Sequence, residues 1–103
     1  MTHLRLALGH GRDLDTASVR SVAVCAGSGA GVLGGVGADL AVTGEMSHHE
    51  VLELAARGVT VILADHSNTE RGYLALVRDK LAEQLDGVNV IVSSVDRDPL
   101  QIV

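Results

Sequence analysis

The chain has 103 residues, of which 47% are hydrophobic and 20% charged, and its formal net charge at pH 7 is −5. This length corresponds to about one domain, and the composition is typical of a folded globular protein and excludes a disordered one. Because Lys and Arg number 8 against 13 Asp and Glu, with no basic run and one aromatic residue, Tyr73, the sequence predicts no direct nucleic-acid binding.

The compartment is suggested by three simple features. The one cysteine, Cys25, excludes a disulfide within this sequence and favours a reducing environment. No apolar run reaches the roughly 20 residues of a membrane-spanning helix, and Met1–Leu4 lack the charged region followed by an apolar region that opens a secretory signal. We therefore expect a cytoplasmic protein, with the nucleus or mitochondrion as alternatives, and no membrane association.

Strand and helix patterns alternate from the N-terminus onwards. The short apolar stretch Leu4–Leu8 predicts an edge strand or a lead-in, and Val19–Ala26 predicts a strand buried on both faces. A glycine-rich segment, Gly27–Gly31, follows at once. A short helix over Val32–Val36 and a strand over Ala38–Thr43 come next.

The second half continues the alternation. Ser47–Arg57 has its apolar residues on one stripe and predicts a helix, which ends at Gly58. Val59–Ala64 predicts a β-branched strand, Thr69–Leu85 a long amphipathic helix, and Val88–Val95 a last strand. The order predicts an α/β layered sandwich, with a mostly parallel sheet of about four to five strands and three helices, as one domain over residues 1–103.

Polar residues follow the predicted strands, where ligands bind in parallel α/β sheets. His66 leaves a buried strand and Glu70 comes four residues later, so an imidazole and a carboxylate could converge on one divalent cation. The alternative is structural, because Ser67 and Glu70 also have the spacing of a helix capping box. Two ligands do not make a site, so both interpretations stay open.

Adjacent histidines occur in the segment Gly44–Glu50, after the preceding strand. His48 and His49 point about 100° apart on a helix, so only one of them can easily face a given site. Both are candidate catalytic residues that would carry protons. The alternative is a solvated helix start, since Ser47 and Glu50 again fit a capping box.

The segment Gly27–Gly31 resembles an anion cradle, in which backbone N–H groups face a phosphate. It lacks the full dinucleotide fingerprint, and no Lys follows as in a P-loop. A tight crossing from strand to helix is the alternative interpretation.

Three ordered segments together resemble the Nif-three-like family, whose members are also called GTP cyclohydrolase I type 2-like proteins. The segments are Val22–Leu33, Asp39–Leu52 and Asp65–Gly72. Leu6–Arg12 and Asp96–Val103 are similar to the eukaryotic branch of that family. The resemblance covers nearly all of this chain but only the C-terminal part of the family's usual length. The chain therefore resembles an isolated C-terminal domain, either an expressed fragment or a natural short form.

The resemblance implies a two-metal site between two α/β halves, in which His66 and Glu70 match the ligands of the C-terminal half. The other ligands, a histidine pair and an Asp of the N-terminal half, are absent from this sequence. The metal would be a divalent ion (zinc, manganese or iron), whose site could stay unfilled in this short form. The resemblance also implies a homo-oligomer, because members form rings, and protein partners connected with transcription.

The chain is therefore predicted to be the C-terminal domain of a dinuclear-metal hydrolase that resembles the GTP cyclohydrolase I type 2-like proteins. The domain would contribute part of the metal site and the oligomer interface, without being catalytic alone. In a complete site the cation lowers the pKa of its bound water, and Asp65 or Glu45 would orient a ligand. A non-enzymatic, transcription-related interaction module is the alternative, and a phosphate binder at Gly27–Gly31 is a third hypothesis.

Overall fold

The computed structural model describes residues 3–103, so Met1 and Thr2 of the N-terminal segment considered above lie outside the described residues. Within residues 3–103 the chain forms a four-stranded mixed sheet, four α-helices and a 3-10 turn, which confirms the predicted α/β class. The contacts divide it into two compact units, one running up to Thr69 and the other comprising Glu70–Val103. The single domain predicted over residues 1–103 stays a prediction. Over the same described range, no helix has both the length and the apolar character needed to cross a bilayer.

The sheet belongs to the first unit. Its strands are β1 (Arg5–Ala7), β2 (Val22–Ser28), β3 (Leu40–Glu45) and β4 (Thr60–Leu63). Their order across the sheet is β1-β4-β3-β2, with β2, β3 and β4 parallel and β1 antiparallel to β4. This arrangement confirms that the first strand lies at an edge and places the ends of β3 and β4 side by side.

Strand β2 differs from its prediction, because it forms the other edge of the sheet. Ala23 and Cys25 pack against the core, whereas the alternate residues Val22 and Val24 are 53% and 70% exposed. The predicted burial of both faces is therefore wrong. An apolar sequence run does not reveal how many faces of a strand are covered, which depends on the elements that pack against it.

Two helices of the first unit pack on the same side of the sheet. Leu33 of α1 (Ala30–Leu33) and Leu54 of α2 (His48–Ala56) are buried in one core with Val61 of β4. The capping box predicted for α2 is present, since Ser47 Oγ accepts the backbone N–H of Glu50 and the Glu50 carboxylate accepts that of Ser47. Gly58, with φ +84°, follows the end of α2 as predicted.

The helix predicted over Thr69–Leu85 is wrong in its start and its continuity. Three elements occupy this stretch: α3 (His66–Glu70), a 3-10 turn (Arg71–Tyr73) and α4 (Leu74–Gln84). Gly72 lies in the interruption, where a residue of low helix propensity is expected. The helix starts early because Thr69 N–H donates to the carbonyl of Asp65. Ser67 consequently lies inside α3, so the alternative interpretation of Ser67 and Glu70 as a capping box is wrong.

The strand predicted over Val88–Val95 is also wrong, because these described residues form no strand. They belong to the second unit, where Arg71 Nε donates to Asp96 Oδ2 at 2.9 Å. A β-branched run becomes a strand only where a neighbouring strand is available for pairing. The same ion pair lowers the pKa of Asp96 and raises that of Arg71.

Asp39 joins the amino end of β3 to the chain that leads into β2. Its Oδ2 accepts the backbone N–H groups of Arg20 and Ser21 at 2.9 and 3.2 Å, and its Oδ1 pairs with Arg12 Nη2 at 3.0 Å. These bonds, that of Arg20 above all, lower the pKa of the Asp39 carboxyl. A pKa that is lower in the folded chain means that the charged form favours folding.

The contribution of Asp39 to stability is therefore complete above its unfolded pKa of about 4 and is lost as pH falls through the lower folded pKa. We expect Asp39→Asn to lower the Tm at pH 7 and to lie much closer to wild type near pH 2. Thermal unfolding at the two pH values measures this, with Asp86→Asn as the exposed control. An equal loss of Tm at both pH values would contradict the prediction.

Candidate functional site

Three polar side chains meet at the carboxyl ends of the parallel strands in the first unit. Ser28 ends β2, Glu45 ends β3, and His66 follows β4. Glu45 Oε1 accepts a hydrogen bond from Ser28 Oγ at 2.9 Å and lies 2.8 Å from Nδ1 of His66. We call this group the Ser28–Glu45–His66 cluster. It occupies the edge of the sheet where the sequence predicted a ligand site.

The carboxyl group of the cluster is held in its charged form. The hydrogen bond from His66, and next that from Ser28, lowers the pKa of Glu45 below the ordinary range of a glutamate. A carboxylate has no proton to donate, so the bond to the imidazole is donated by Nδ1–H of His66. Glu45 thus selects the position of one ring proton.

The backbone of His66 is tied to the neighbouring strands by a glycine–threonine junction, formed by Gly27, Thr43, Gly44 and Thr69. The hydroxyl of Thr69 donates to the His66 carbonyl at 2.8 Å and accepts the Gly27 N–H at 2.8 Å. The buried hydroxyl of Thr43 donates to the Gly27 carbonyl at 3.1 Å. The junction therefore links the ends of β2 and β3 to the first turn of α3.

Gly44 completes the junction by lacking a side chain. A Cβ at this position would lie 2.7 Å from the Gly27 carbonyl oxygen and 2.8 Å from the Cα of His66. Real Cβ atoms do not approach other atoms so closely, so only glycine lets β3 pass this near to both segments.

The glycine-rich segment Gly27–Gly31 is organised as a crossing from strand to helix. The N–H of Gly27 donates a hydrogen bond to the Thr69 hydroxyl, and a Cβ added at Gly29 would clash with the side chain of Thr43. The helix that follows has four residues. These contacts favour the tight-crossing interpretation, because the loop is shaped by its packing against β3.

The predicted site residues fall in different places. Asp65 and Glu45 are the two carboxylates proposed to orient a ligand. Asp65 has a φ of +68°, and its Oδ1 lies 3.6 Å from Nη2 of Arg5. The carboxylate bonded to the His66 ring is that of Glu45. Glu70 is the last residue of α3. The ligand roles of His66 and Glu70 stay predictions.

His48 and His49 lie in the first turn of α2 with their rings 6.3 Å apart. His48 lines an open cavity of about 280 Å³ together with Met46, Val51 and Leu63. Neither Ser28 nor Glu45 lines that cavity; they contribute to a separate one of about 430 Å³. The catalytic role of the two histidines stays a prediction.

Sequence reasoning missed the roles of Ser28, Thr43 and Thr69. Ser28 was hidden in a glycine-rich segment, although its position directly after a predicted strand was a usable signal. The two threonines have no sequence signal, because their importance comes from backbone groups that are distant along the chain.

The described side chains fit part of a metal site. An imidazole whose Nδ1–H donates to a carboxylate has the arrangement usual for a metal-ligating histidine. Within residues 3–103, however, no group of three or more His, Cys, Asp and Glu side chains is placed to hold a metal ion. Because zinc sites use at least three protein ligands, a complete site would need donors from elsewhere.

The architecture defines an α/β domain with a carboxylate–histidine pair at the carboxyl edge of its parallel strands. The chain belongs to the Duf34/NIF3 (NGG1p interacting factor 3) family, whose model matches residues 3–99. This finding confirms the predicted Nif-three-like family.

Curated relatives and solved structures agree with this assignment. The chain is 57% identical to NIF3-like protein 1 of Homo sapiens over 104 residues, which cover all of this chain and 27% of the relative. It is 51% identical to NGG1-interacting factor 3 of Saccharomyces cerevisiae, over 82% of this chain and 30% of the relative. The crystal structure of Staphylococcus aureus protein SA1388 superposes with a TM-score of 0.71 at 25% identity, over 99% of this chain and 34% of that one. The chain thus spans about a third or less of these proteins.

Proposed function

We propose that this chain supplies one part of a divalent-metal site in a metal-dependent hydrolase of the NIF3 family. His66 and Glu70 would be its ligands, and the remaining ligands would come from the part of the longer relatives that lies outside the stretch matched here. The observation that carries the proposal is the bond from His66 Nδ1–H to Glu45, because this bond leaves the lone pair of the neutral ring on Nε2.

The chemistry of the donors agrees with zinc, manganese or iron, which accept imidazole and carboxylate ligands. His66 and Glu70 are the first and last residues of α3, a four-residue spacing that places side chains on one face of a helix. When bound, a divalent cation would supply a Lewis acid that activates water for hydrolysis. His48 or His49 would carry protons, and this chain alone would not complete the reaction. A cytoplasmic location is part of the same proposal.

Metal titration tests the ligand role of His66. We expect the chain to bind Zn²⁺ weakly, and His66→Ala to reduce the affinity by about 100-fold or more, since it removes one of two donors. Isothermal titration calorimetry measures the affinity, and a backbone NMR spectrum shows whether the fold is kept. His10→Ala is the matched control, because His10 is an exposed histidine whose backbone N–H donates to the Ala55 carbonyl in α2, before the amino end of β4 and not at its carboxyl end.

Two results would contradict the proposal. One is equal Zn²⁺ affinity in wild type, His66→Ala and His10→Ala. The other is a wild-type chain that binds no Zn²⁺ although its backbone spectrum is that of a folded protein.

A protein-interaction role is the second candidate. The yeast relative is named for its interaction with NGG1, and in this chain the second unit exposes several large apolar side chains, among them Ile91, Val95 and Leu100 at 75%, 83% and 81%. We infer that such residues contact a protein partner or a second copy of the chain, because extensive exposed apolar surface marks interfaces.

The interaction role predicts a different response from the metal role. We expect the chain to be larger than a monomer by light scattering, and the double substitution Ile91→Ser/Leu100→Ser to shift it towards monomer. Addition of a chelator should leave the wild-type assembly unchanged. Disassembly by the chelator, or an unaltered assembly in the double variant, would count against this role.

A further inference from the structure

The end of strand β2 carries an irregularity that determines where Ser28 points. Cys25 pairs with Thr43 across the β2–β3 ladder, but the next pair is Ser28 with Glu45. Three residues on β2 thus match two on β3, so β2 contains one extra residue, a β-bulge. Gly27, with φ +69°, lies in this bulge.

The bulge changes the direction of the Ser28 side chain. In a regular ladder, Cys25 would be followed on the same face by residue 27, and residue 28 would point to the opposite face. The extra residue instead pairs Ser28 with Glu45 across the ladder and brings their side chains to the same face. The Ser28 hydroxyl therefore lies 2.9 Å from Oε1 of Glu45. Bulges beside functional sites commonly redirect one side chain in this way.

The same oxygen of Glu45 receives both donors. Ser28 Oγ and His66 Nδ1 lie 2.9 and 2.8 Å from Oε1, which limits rotation of the carboxylate. The carboxylate lies between the hydroxyl and the imidazole. A Ser–His–Asp triad has the opposite order, with the imidazole between the serine and the carboxylate, so the cluster is not such a triad.

We propose that Ser28 and Glu45 are positioning residues that hold His66 in the tautomer with its proton on Nδ1. Ser28 fixes the Glu45 carboxylate, Glu45 fixes the ring proton, and the lone pair of the ring lies on Nε2. The bulge at Gly27 places Ser28 beside Glu45, and the glycine–threonine junction holds the backbone of His66. The purpose of this tautomer, donation to a cation, rests on the proposed function, but the tautomer itself does not.

Ring ¹⁵N chemical shifts test the assignment directly, because they distinguish the protonated from the unprotonated ring nitrogen. The spectrum is recorded on the metal-free chain at about pH 9, where imidazoles are neutral. We expect the wild-type His66 ring to carry its proton on Nδ1. Glu45→Ala should abolish this preference, and Ser28→Ala should weaken it. Glu45→Gln, which keeps an acceptor oxygen, should largely retain it, whereas a structural role alone would not predict this rescue.

Glu83→Gln, on the exposed surface of α4, is the matched control and should leave the ring spectrum unchanged. A wild-type His66 protonated on Nε2 would overturn the proposal, and so would the same tautomer in wild type and a folded Glu45→Ala chain. If Glu45→Ala does not fold, the wild-type spectrum and that of Ser28→Ala still decide.

A Zn²⁺ titration of the same variants separates this proposal from the proposed function. We expect Glu45→Ala to weaken Zn²⁺ binding by about 10- to 100-fold. Wild-type His66 with the expected tautomer but no Zn²⁺ binding would overturn the metal function and support the positioning role. Zinc binding that depends on His66 but not on Glu45, with the ring protonated on Nε2, would support the metal function and overturn the positioning role.

Discussion

Replacement of Gly44 by alanine is expected to lower the free energy of unfolding by about 3 kcal/mol, at the upper end of the cost of overpacking. The added Cβ would lie 2.7 Å from the Gly27 carbonyl oxygen, 2.7 Å from Thr69 Oγ1 and 2.8 Å from the His66 Cα. Two of these atoms are backbone, so they cannot move away by a change of rotamer. The strand ends must separate or the first turn of α3 must shift. Urea unfolding followed by circular dichroism measures the loss.

Gly35→Ala is the control for this substitution. Its Cβ would have nothing within 4 Å, and its φ lies outside the positive range that alanine avoids. We expect this variant to be as stable as wild type or slightly more so, because alanine restricts the unfolded chain. A Gly44→Ala chain with wild-type stability would contradict the geometry of the glycine–threonine junction.

The second large effect is expected for Val61→Ala, which should lower the free energy of unfolding by about 2–3 kcal/mol. Val61 is fully buried in β4 and lies in the core with Leu33 and Leu54 of the two covering helices. The substitution removes buried methyl groups and leaves a cavity between the sheet and the helices. The urea midpoint should fall while the dependence on urea stays the same.

Val32→Ala removes the same atoms from a side chain of α1 that is 65% exposed. Its effect should stay within about 0.5 kcal/mol of wild type, as for most surface substitutions. Equal losses for the two variants would show that Val61 is not a core residue of the folded chain.

The strand and helix pattern of the first unit was predictable because its signals are local. The capping box of Ser47 and Glu50, the glycine after α2 and the β-branched run of β4 each act within a few residues. These signals predict the type and ends of each element without information from the rest of the chain. The resemblance to the family likewise rested on short ordered motifs, which the family model at residues 3–99 confirms.

The errors share one cause, which is that pairing and burial are decided between segments. Val88–Val95 has the composition of a strand, but in the described structure it has no partner strand. The apolar run of β2 predicts burial on both faces, but β2 is an edge strand with one face exposed. The helix start at His66 follows the positive φ of Asp65, a backbone conformation that the local sequence does not predict.

The sequence by itself determined the α/β alternation, the family and the presence of histidines and carboxylates after the strands, since all of these follow from local propensity and motif order. Only the tertiary structure decided which of those groups meet. It selected Glu45 over Asp65 as the carboxylate on His66, and it brought in Ser28 through a bulge. The physical reason is that a hydrogen bond needs two groups within about 3 Å, and the register of parallel strands brings together residues that are 17 and 21 positions apart in the chain.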